Sequence, residues 1–523
     1  MCRLAALAAT APLVAASPAE PMNPEPIHET VVAELRSEGF SRSRVMEWAG
    51  AMTDVYGPRY ANSPSYDAAA EWARQTFESF GLTANLEAWG EYGYGWENEY
   101  TSVHLTKPRY QPVIAYPVPG TASTSGSVTT EVVLLDTTQI LEAEDLEPYR
   151  GKLAGKSVLT QPERRLEMSF QPHAVRLSDE ELREMSRLDI EPPADEPSRG
   201  DSPSVRQPLP PEWMQQFFRD EGVVALMAPG QANVGSMDKG LVAVTGDGPL
   251  PLTEEPGLPS LVLAAEHYNR VARLIGRGFE PEMQLEVRNA FHDDDPLDYN
   301  VLAELPGGDL ASEVVMIGAH FDSEPAGTGA TDNASGSAIV MEAMRILAAV
   351  GVKPRRTIRA ALWGAEEAGM LGSRGYVARH LGDRDTGERR AGHADHYVYF
   401  NVDWYGRFRG IFLQGNDEAG PIFEAWMRPF HDIGMQWIVP GNTGGTDHMA
   451  FQEVGLPGFQ FIQDDLEFFN VSFHTNMDVY DRLVAEDLEQ ASVILASFAY
   501  HAATREGSFP HADGLHNKRR WHK

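Results

Sequence analysis

Cysteine is almost missing from this chain, since Cys2 is the only one among 523 residues. The rest of the sequence therefore excludes a disulfide bond, a catalytic thiol and a thiolate metal site. Long apolar runs are also lacking: no segment approaches the roughly 20 residues that a membrane-spanning helix needs, so we expect no membrane span. Bases are scarce, with 43 Lys and Arg against 76 Asp and Glu and a net charge of −33. Because phosphate contacts need clustered bases, we expect no nucleic-acid partner.

The first residues have the pattern of an export signal. Arg3 precedes an apolar run of Ala, Leu and Val, and small residues follow near position 16. This order is typical of a secretory signal peptide, which predicts residues 1–19 as the signal and an exported protein, periplasmic or secreted. A disordered Ala-rich start is the alternative interpretation.

The periodicity of apolar residues changes twice along the chain. Residues 26–107 begin with helical spacing and are predicted to be the N-terminal part of a main domain. Residues 108–291 carry short strands, one of them at 241–244, and are predicted to form an inserted, mostly-β domain. A polar, Pro-rich stretch at 161–211 indicates a surface excursion within that insert.

The last regular region, residues 292–506, alternates strand and helix patterns and precedes a polar tail at 507–523. Apolar runs at 314–319, 357–363 and 396–402 predict buried strands, and residues 334–350 predict an amphipathic helix. This alternation favours an α/β sandwich with a mixed, mostly parallel sheet. Ligand sites in such sheets lie beyond the carboxyl ends of the strands.

Two histidines and several carboxylates follow the predicted strand ends or the loops between them. They are His320, Asp322, Asp332, Glu366, Glu367, Asp403 and His474. Imidazole and carboxylate without sulfur suit Zn²⁺, and Mn²⁺ or Co²⁺ can substitute. If the side chains converge, they can hold a pair of divalent cations that activate water, which predicts a metallohydrolase.

Local spacing adds detail to this hypothesis. His320 and Asp322 are two residues apart in extended chain, so both side chains lie on one side and Asp322 can hold the second ring nitrogen of His320. The adjacent carboxylates Glu366 and Glu367 repel each other unless cations or a proton separate their roles, as a metal ligand beside a general base would. Each motif alone has an ordinary alternative as a turn, a helix cap or a solvated helix face. The hypothesis depends on the combination.

Five segments together resemble a known family. They read GAHFDS at 318–323, GATDNASG at 329–336, WGAEEAGMLGS at 363–373, NVD at 401–403 and GTDH at 445–448. This set resembles the di-zinc exopeptidases that include bacterial leucyl aminopeptidase and plasma glutamate carboxypeptidase (carboxypeptidase Q). The segment DVYGPR at 54–59 resembles the carboxypeptidase Q branch. Residues 108–291 resemble a protease-associated domain.

The resemblance implies a three-layer αβα sandwich, two Zn²⁺ per chain and a peptide substrate. It implies five metal ligands: His320 and Asp403 on one ion, Glu367 and His474 on the other, and Asp332 bridging both.

Further roles follow from the same resemblance. Glu366 would be the general base and Asp322 the carboxylate that orients His320. A cis peptide bond is expected between residues 332 and 333, and a homodimer is possible. Tyr405, Asp447 and His448 are candidates for the substrate pocket, with turn and packing roles as the alternative.

Three other functions share parts of this pattern. The aminoacylase-type di-zinc family inserts a dimerisation domain between its last two ligands, but positions 403 and 474 are only 71 apart. A glutaminyl-cyclase-like acyltransferase uses one zinc, and receptor-like relatives of the transferrin-receptor type lose ligands. Because all five ligands are retained, the sequence favours an exopeptidase acting on short peptides, either an aminopeptidase or a carboxypeptidase Q-like dipeptidase.

Overall fold

The structure is a computed structural model that describes residues 25–511, apart from 167, 169, 171, 188–211, 231–239, 247 and 253–254. The predicted signal peptide, most of the predicted tail and the second half of the Pro-rich stretch lie outside the described residues. None of the described helices is long and apolar enough to cross a bilayer.

Within the described residues the chain forms sixteen strands and eleven α-helices. The strands are β1 (Thr83–Glu91), β2 (Gly95–Lys107), β3 (Gln111–Pro112), β4 (Ala115–Pro117), β5 (Val128–Leu134), β6 (Ser157–Leu159), β7 (Ala225–Pro229), β8 (Ser260–Leu263), β9 (Glu282–His292), β10 (Leu297–Leu305), β11 (Leu310–His320), β12 (Arg356–Trp363), β13 (His396–Asn401), β14 (Phe408–Phe412), β15 (Trp437–Val439) and β16 (Gly458–Gln463). The helices are α1 (Glu29–Ser41), α2 (Val45–Gly50), α3 (Pro64–Ser79), α4 (Asp179–Met185), α5 (Glu212–Asp220), α6 (Ala265–Gly276), α7 (Ser335–Val350), α8 (Leu371–His380), α9 (Gly420–Met427), α10 (His448–Gln452) and α11 (Ala485–Thr504).

The first of two eight-stranded sheets is mixed, with a parallel centre. Its strand order is β1-β10-β12-β11-β13-β16-β14-β15. β12, β11, β13 and β16 pair in parallel, whereas β1, β10 and β14 join the sheet by antiparallel pairing. The predicted strands at 314–319, 357–363 and 396–402 are confirmed as its central members.

Helices cover both faces of this sheet. On β11, Val315 and Ile317 point into a core shared with α7 and α11. Met316 points the opposite way, into a core shared with α8 and α10. Because successive side chains of a strand alternate between faces, a strand buried on both sides is apolar at every position. The three-layer αβα sandwich is therefore confirmed.

The second sheet uses strands between residues 95 and 292, in the order β3-β2-β9-β5-β6-β7-β8-β4. β5, β6, β7 and β8 pair in parallel, and β2 pairs with β9 along its length. The sheet thus begins before residue 108, and the domain boundaries stay a prediction. α6 packs on one part of this sheet and α5 on another. The sequence patterns missed both helices.

The strand predicted at residues 241–244 is wrong. Within the described segment 240–246, only Ala243 forms a bridge, and its partner is Thr475. The Val242 N–H donates to Asn476 Oδ1 at 2.7 Å, and the Val244 N–H donates to the His474 carbonyl at 3.3 Å. This apolar segment is therefore buried against the loop that carries His474, not within the second sheet.

A buried guanidinium joins the N-terminal segment to the loop after β11. Arg59 is fully buried, and its Nε donates to the Phe321 carbonyl at 2.7 Å. Its terminal nitrogens donate to the carbonyls of Met52 at 3.0 Å, Thr328 at 2.9 Å and Gly329 at 3.0 Å. Burial lowers the pKa of Arg59 to about 10, so the side chain keeps its charge at neutral pH. Arg59 thereby fixes the loop that leads to Asp332.

We expect Arg59→Lys to lower the free energy of unfolding by about 2–4 kcal/mol. An ammonium lacks the planar fork of the guanidinium and cannot reach four carbonyl groups in different directions. Urea unfolding followed by circular dichroism measures the change, with the exposed Arg109 replaced by lysine as the control. Equal urea midpoints for Arg59→Lys and the unchanged protein would contradict this role.

Candidate metal centre

The residues predicted for the site lie at one edge of the first sheet, beyond the carboxyl ends of its parallel strands. His320 is the last residue of β11, Glu366 and Glu367 follow the end of β12, and Asp403 follows the end of β13. Because β11 lies between β12 and β13, three adjacent strands bring these side chains to the same place.

His320 lies at the centre of the cluster and is 1% exposed. Its Nε2 is 3.0 Å from Asp332 Oδ1 and 3.5 Å from Asp403 Oδ1. Its Nδ1 is 3.4 Å from Asp322 Oδ1. One ring nitrogen therefore faces two of the predicted ligands, and the other faces the carboxylate predicted to orient the ring.

Asp322 also holds the backbone of both glutamates. Its Oδ1 accepts a hydrogen bond from the Glu366 N–H at 3.0 Å, and its Oδ2 accepts one from the Glu367 N–H at 3.2 Å. A single buried carboxylate thus fixes the positions of three other site residues. Outer groups of this kind orient metal ligands in known metal sites.

Asp332 lies between the two histidines. Its Oδ1 is 3.0 Å from His320 Nε2 and its Oδ2 is 3.3 Å from His474 Nε2. The preceding loop turns through Gly329, whose φ is +63°, and a Cβ there would lie 2.2 Å from the Ser323 side chain. The peptide bond between Asp332 and Asn333 is cis, as the resemblance implies. A carboxylate with one oxygen on each side is the arrangement that a bridging ligand requires.

His474 and Glu367 form the second half of the cluster, with His474 Nε2 2.8 Å from Glu367 Oε2. Glu367 Oε1 and Asp332 Oδ2 are buried and have no hydrogen-bond partner among the described residues. A buried carboxylate oxygen without a partner is costly unless a proton or a cation meets it. The donor set of imidazole and carboxylate without sulfur therefore fits Zn²⁺ or a similar divalent cation.

The protonation of these groups reflects their burial. Burial raises the pKa of the Glu367 carboxyl to about 7 and raises the pKa of the Glu366 carboxyl well above its usual range. Burial opposes charge on His474, but the Glu367 and Asp332 carboxylates raise the pKa of its imidazole well above the usual value. Without a cation, protons therefore occupy the cluster near neutral pH.

Of the three candidates for the substrate pocket, only Asp447 is brought towards the cluster. Its side chain is fully buried, and both carboxylate oxygens are without a hydrogen-bond partner among the described residues. Burial raises the pKa of the Asp447 carboxyl to about 7; the neighbouring imidazole of His320 opposes this shift, and Asp403 adds to it. Its role in substrate binding stays a prediction.

The other two candidates are held by packing contacts. His448 Nε2 is 3.1 Å from Gln414 Nε2 and 3.0 Å from the Thr443 carbonyl. The Tyr405 hydroxyl accepts the Glu467 N–H at 2.7 Å, and its ring lies in an apolar cluster with Trp404 and Phe468. A role of His448 or Tyr405 in substrate binding also stays a prediction.

Two acidic residues at the site were missed from the sequence. The Asp478 carboxylate accepts the N–H groups of Thr331 at 2.6 Å and Asp332 at 3.1 Å, so it holds the backbone of the central aspartate. Glu324 is buried, and its Oε2 accepts the Gly246 N–H at 3.2 Å.

A signal for Glu324 was present in the sequence. It continues the two-residue spacing of His320 and Asp322, which places all three side chains on one side of an extended segment. No pattern marked Asp478, because its partners are backbone groups of a distant loop.

Comparison with known proteins gives a match over this part of the chain. Residues 300–499 match the family model described as peptidase family M28. Carboxypeptidase Q from Bos taurus is 27% identical over 258 residues, which cover 49% of this chain and 52% of that protein. Aminopeptidase YwaD from Bacillus subtilis is 30% identical over 201 residues, which cover 37% of this chain and 42% of that protein. The chain thus spans about half the length, 52%, of the carboxypeptidase Q sequence that it matches.

Two solved structures share the fold. The peptidase M28 precursor from Shewanella amazonensis superposes with a TM-score of 0.63 and 24% identity, covering 92% of this chain and 97% of that chain. BSAP, a zinc aminopeptidase from Bacillus subtilis, superposes with a TM-score of 0.52 and 18% identity, covering 89% of this chain and 96% of that chain. At these identities the likeness shows the fold alone. The match to peptidase family M28 over residues 300–499 contains every clustered side chain from His320 to Asp478, so the similarity to this family covers the whole cluster.

Proposed function

We propose that this protein is a zinc-dependent exopeptidase that hydrolyses short peptides. The observation that carries the proposal is the position of Asp332, with one oxygen 3.0 Å from His320 Nε2 and the other 3.3 Å from His474 Nε2. The family M28 match supports it, and so do relatives described as a carboxypeptidase, an aminopeptidase and a zinc aminopeptidase.

Five side chains would hold two cations: His320 and Asp403 on one side, Glu367 and His474 on the other, and Asp332 between them. Zn²⁺ is the proposed ion, with Mn²⁺ or Co²⁺ as substitutes. Such a pair of cations would act as a Lewis acid on the scissile carbonyl and would activate the attacking water.

Glu366 is the proposed general base. Asp322 fixes its backbone, and its carboxyl is almost fully buried beside the cluster. Burial raises the pKa of the Glu366 carboxyl above its usual range, which makes its carboxylate a stronger base than that of an exposed glutamate. Glu366 would accept a proton from the attacking water and return it to the leaving amine.

The charges near the site favour recognition of a free amino terminus. A substrate carboxylate would need an available cation, but Arg374 pairs with Glu453 at 2.8 Å, Arg409 pairs with Asp464 at 2.8 Å and Arg407 lies 3.4 Å from Asp464. The buried carboxylate of Asp447 instead supplies negative charge close to the cluster. We therefore favour an aminopeptidase or a dipeptidase.

We expect Glu366→Gln to keep its bound zinc and to lose turnover by at least about 100-fold, since general-base catalysis contributes about 10²–10⁴ to rate. The amide keeps the shape of the carboxyl but cannot accept the proton. Metal analysis and steady-state kinetics measure the two effects, with the exposed Glu418 replaced by glutamine as the control. Full zinc content with activity within about tenfold of the unchanged protein would show that another group is the base.

Substrate choice and metal dependence can be tested together. We expect cleavage of free dipeptides and aminoacyl-anilides, no cleavage of N-blocked peptides, and loss of all activity on removal of the metal by a chelator. Addition of Zn²⁺ should restore activity. Cleavage of N-blocked peptides alone would reject an aminopeptidase, and activity that survives complete metal removal would reject a metallopeptidase.

The affinity for zinc should depend on pH. Binding requires an ionised Glu367 and a neutral His474, but in the metal-free cluster the pKa of Glu367 is raised to about 7 and the pKa of His474 is raised as well. Protons therefore compete with the metal, and the apparent affinity should fall at least about tenfold between about pH 8 and about pH 6. Chelator competition measures this slope. An affinity that is the same at both pH values would contradict the proposed ligands.

A further inference from the structure

We propose that Glu324 is an additional ligand to the cation held by Glu367 and His474, and that it raises the affinity of this half of the centre for a harder ion such as Mn²⁺ more than its affinity for Zn²⁺. The inference rests on the proposed metal centre. It concerns a residue outside the five-ligand set that the resemblance implies.

The first observation is the distance between the donor atoms. One donor atom each from Glu324, Glu367 and His474 lies within 4.8 Å of the other two. The same limit holds for the set of His320, Asp332 and Glu367. Donor atoms about 2.0–2.2 Å from a common ion are at most about 4.4 Å apart, so small side-chain shifts bring either set around one cation.

The second observation is that Glu324 is buried among other carboxylates, with the imidazole of His474 as the neighbouring base. The Glu324 side chain is 6% exposed, and the Gly246 N–H is its one hydrogen-bond donor among the described residues. It lines the same small cavity as Asp332 and Glu367, each of which has a buried oxygen without a hydrogen-bond partner in the described part of the chain. Besides Asp478, whose carboxylate accepts two backbone N–H groups, three carboxylates thus line one cavity. A cation there would balance them, because a buried anion needs an opposite charge close by.

The position of Glu324 is fixed by the segment 240–246. Gly246 donates to Glu324, and two residues earlier the Val244 N–H donates to the carbonyl of His474. One extended segment thus holds both an established member of the cluster and the proposed ligand, which keeps their donor atoms together.

The two halves of the centre then differ chemically. The half with Glu324 offers three carboxylates, from Glu324, Glu367 and the bridging Asp332, and one imidazole. Zn²⁺ is satisfied by four ligands of mixed type, whereas Mn²⁺ prefers more oxygen ligands. We therefore expect Glu324 to narrow the usual preference for Zn²⁺ over Mn²⁺ in this half, compared with a single Glu–His pair and a shared Asp.

Glu324→Gln is the test variant, because its amide oxygen still accepts the Gly246 N–H while the charge is removed. The matched control is Glu266→Gln: Glu266 accepts the Gly240 N–H of the same segment at 3.1 Å and belongs to neither set of donors. Metal content per chain is measured for the unchanged protein and for both variants. The affinity of each for Mn²⁺ is measured from the electron paramagnetic resonance signal of the unbound ion. Zn²⁺ affinity is measured by chelator competition.

We expect the unchanged protein and Glu266→Gln to bind two Mn²⁺. In Glu324→Gln one Mn²⁺ site should weaken by about 10–100-fold, and Zn²⁺ affinity should change less. If Glu324→Gln does not fold, Glu324→Asp is used in its place. The shorter side chain of aspartate keeps the negative charge but holds the carboxylate too far from the ion to ligate it.

Two intact Mn²⁺ sites in Glu324→Gln would overturn this inference alone. The same result with a raised KM for free dipeptides would assign Glu324 to the substrate's ammonium group instead and would also overturn it. An unchanged protein that binds no divalent cation would overturn the proposed function together with this inference.

Discussion

Repulsion between buried carboxylates is the constraint on which the rest of this site depends. Donor atoms of Asp332 and Glu367 lie within 4.8 Å of each other, and both residues line one small cavity. Two like charges about 4 Å apart repel by roughly 4 kcal/mol at an effective dielectric constant of about 20. Such a cluster folds only if positive charge, protons or hydrogen-bond donors meet it. The two histidines, the N–H groups around Asp322 and Asp478, and the cations of the proposed centre have that role.

The sheet supplies the rigidity that this cluster needs. Three parallel strands end side by side, and their pairing fixes His320 relative to the residues after β12 and β13. Asp332 and His474 come from loops and require other supports. Asp478 holds the backbone before Asp332, and Arg59 holds the carbonyls of the loop leading to it. The buried hydrogen bonds of Asp478 and Arg59 therefore help to hold Asp332 in its position in the cluster.

The parts of the fold that could be predicted from the sequence are those with a strong local pattern. β11, β12 and β13 are mostly apolar where they cross the core, and each ends at or shortly before a residue of the site. β2 was missed because its middle, around Asn98, is polar and exposed. The apolar run at 241–244 led to a wrong strand prediction, because an apolar segment can be buried against a loop as well as within a sheet. Strand order and the approach of Asp478 to Asp332 depend on tertiary contacts, which no local pattern encodes.

Segment 240–246 connects the region of the second sheet to the cluster of acidic residues and histidines at the edge of the first sheet. It begins where Gly240 donates to Glu266 on α6, passes the His474 loop through Ala243 and Val244, and ends at Glu324. A backbone shift there would move the His474 carbonyl and the Glu324 carboxylate together, because both accept hydrogen bonds from its N–H groups. The region between residues 95 and 292 thus contributes to the geometry of the proposed metal centre. A replacement that displaces segment 240–246 would therefore change the cation site formed by Glu367 and His474 more than the cation site formed by His320 and Asp403.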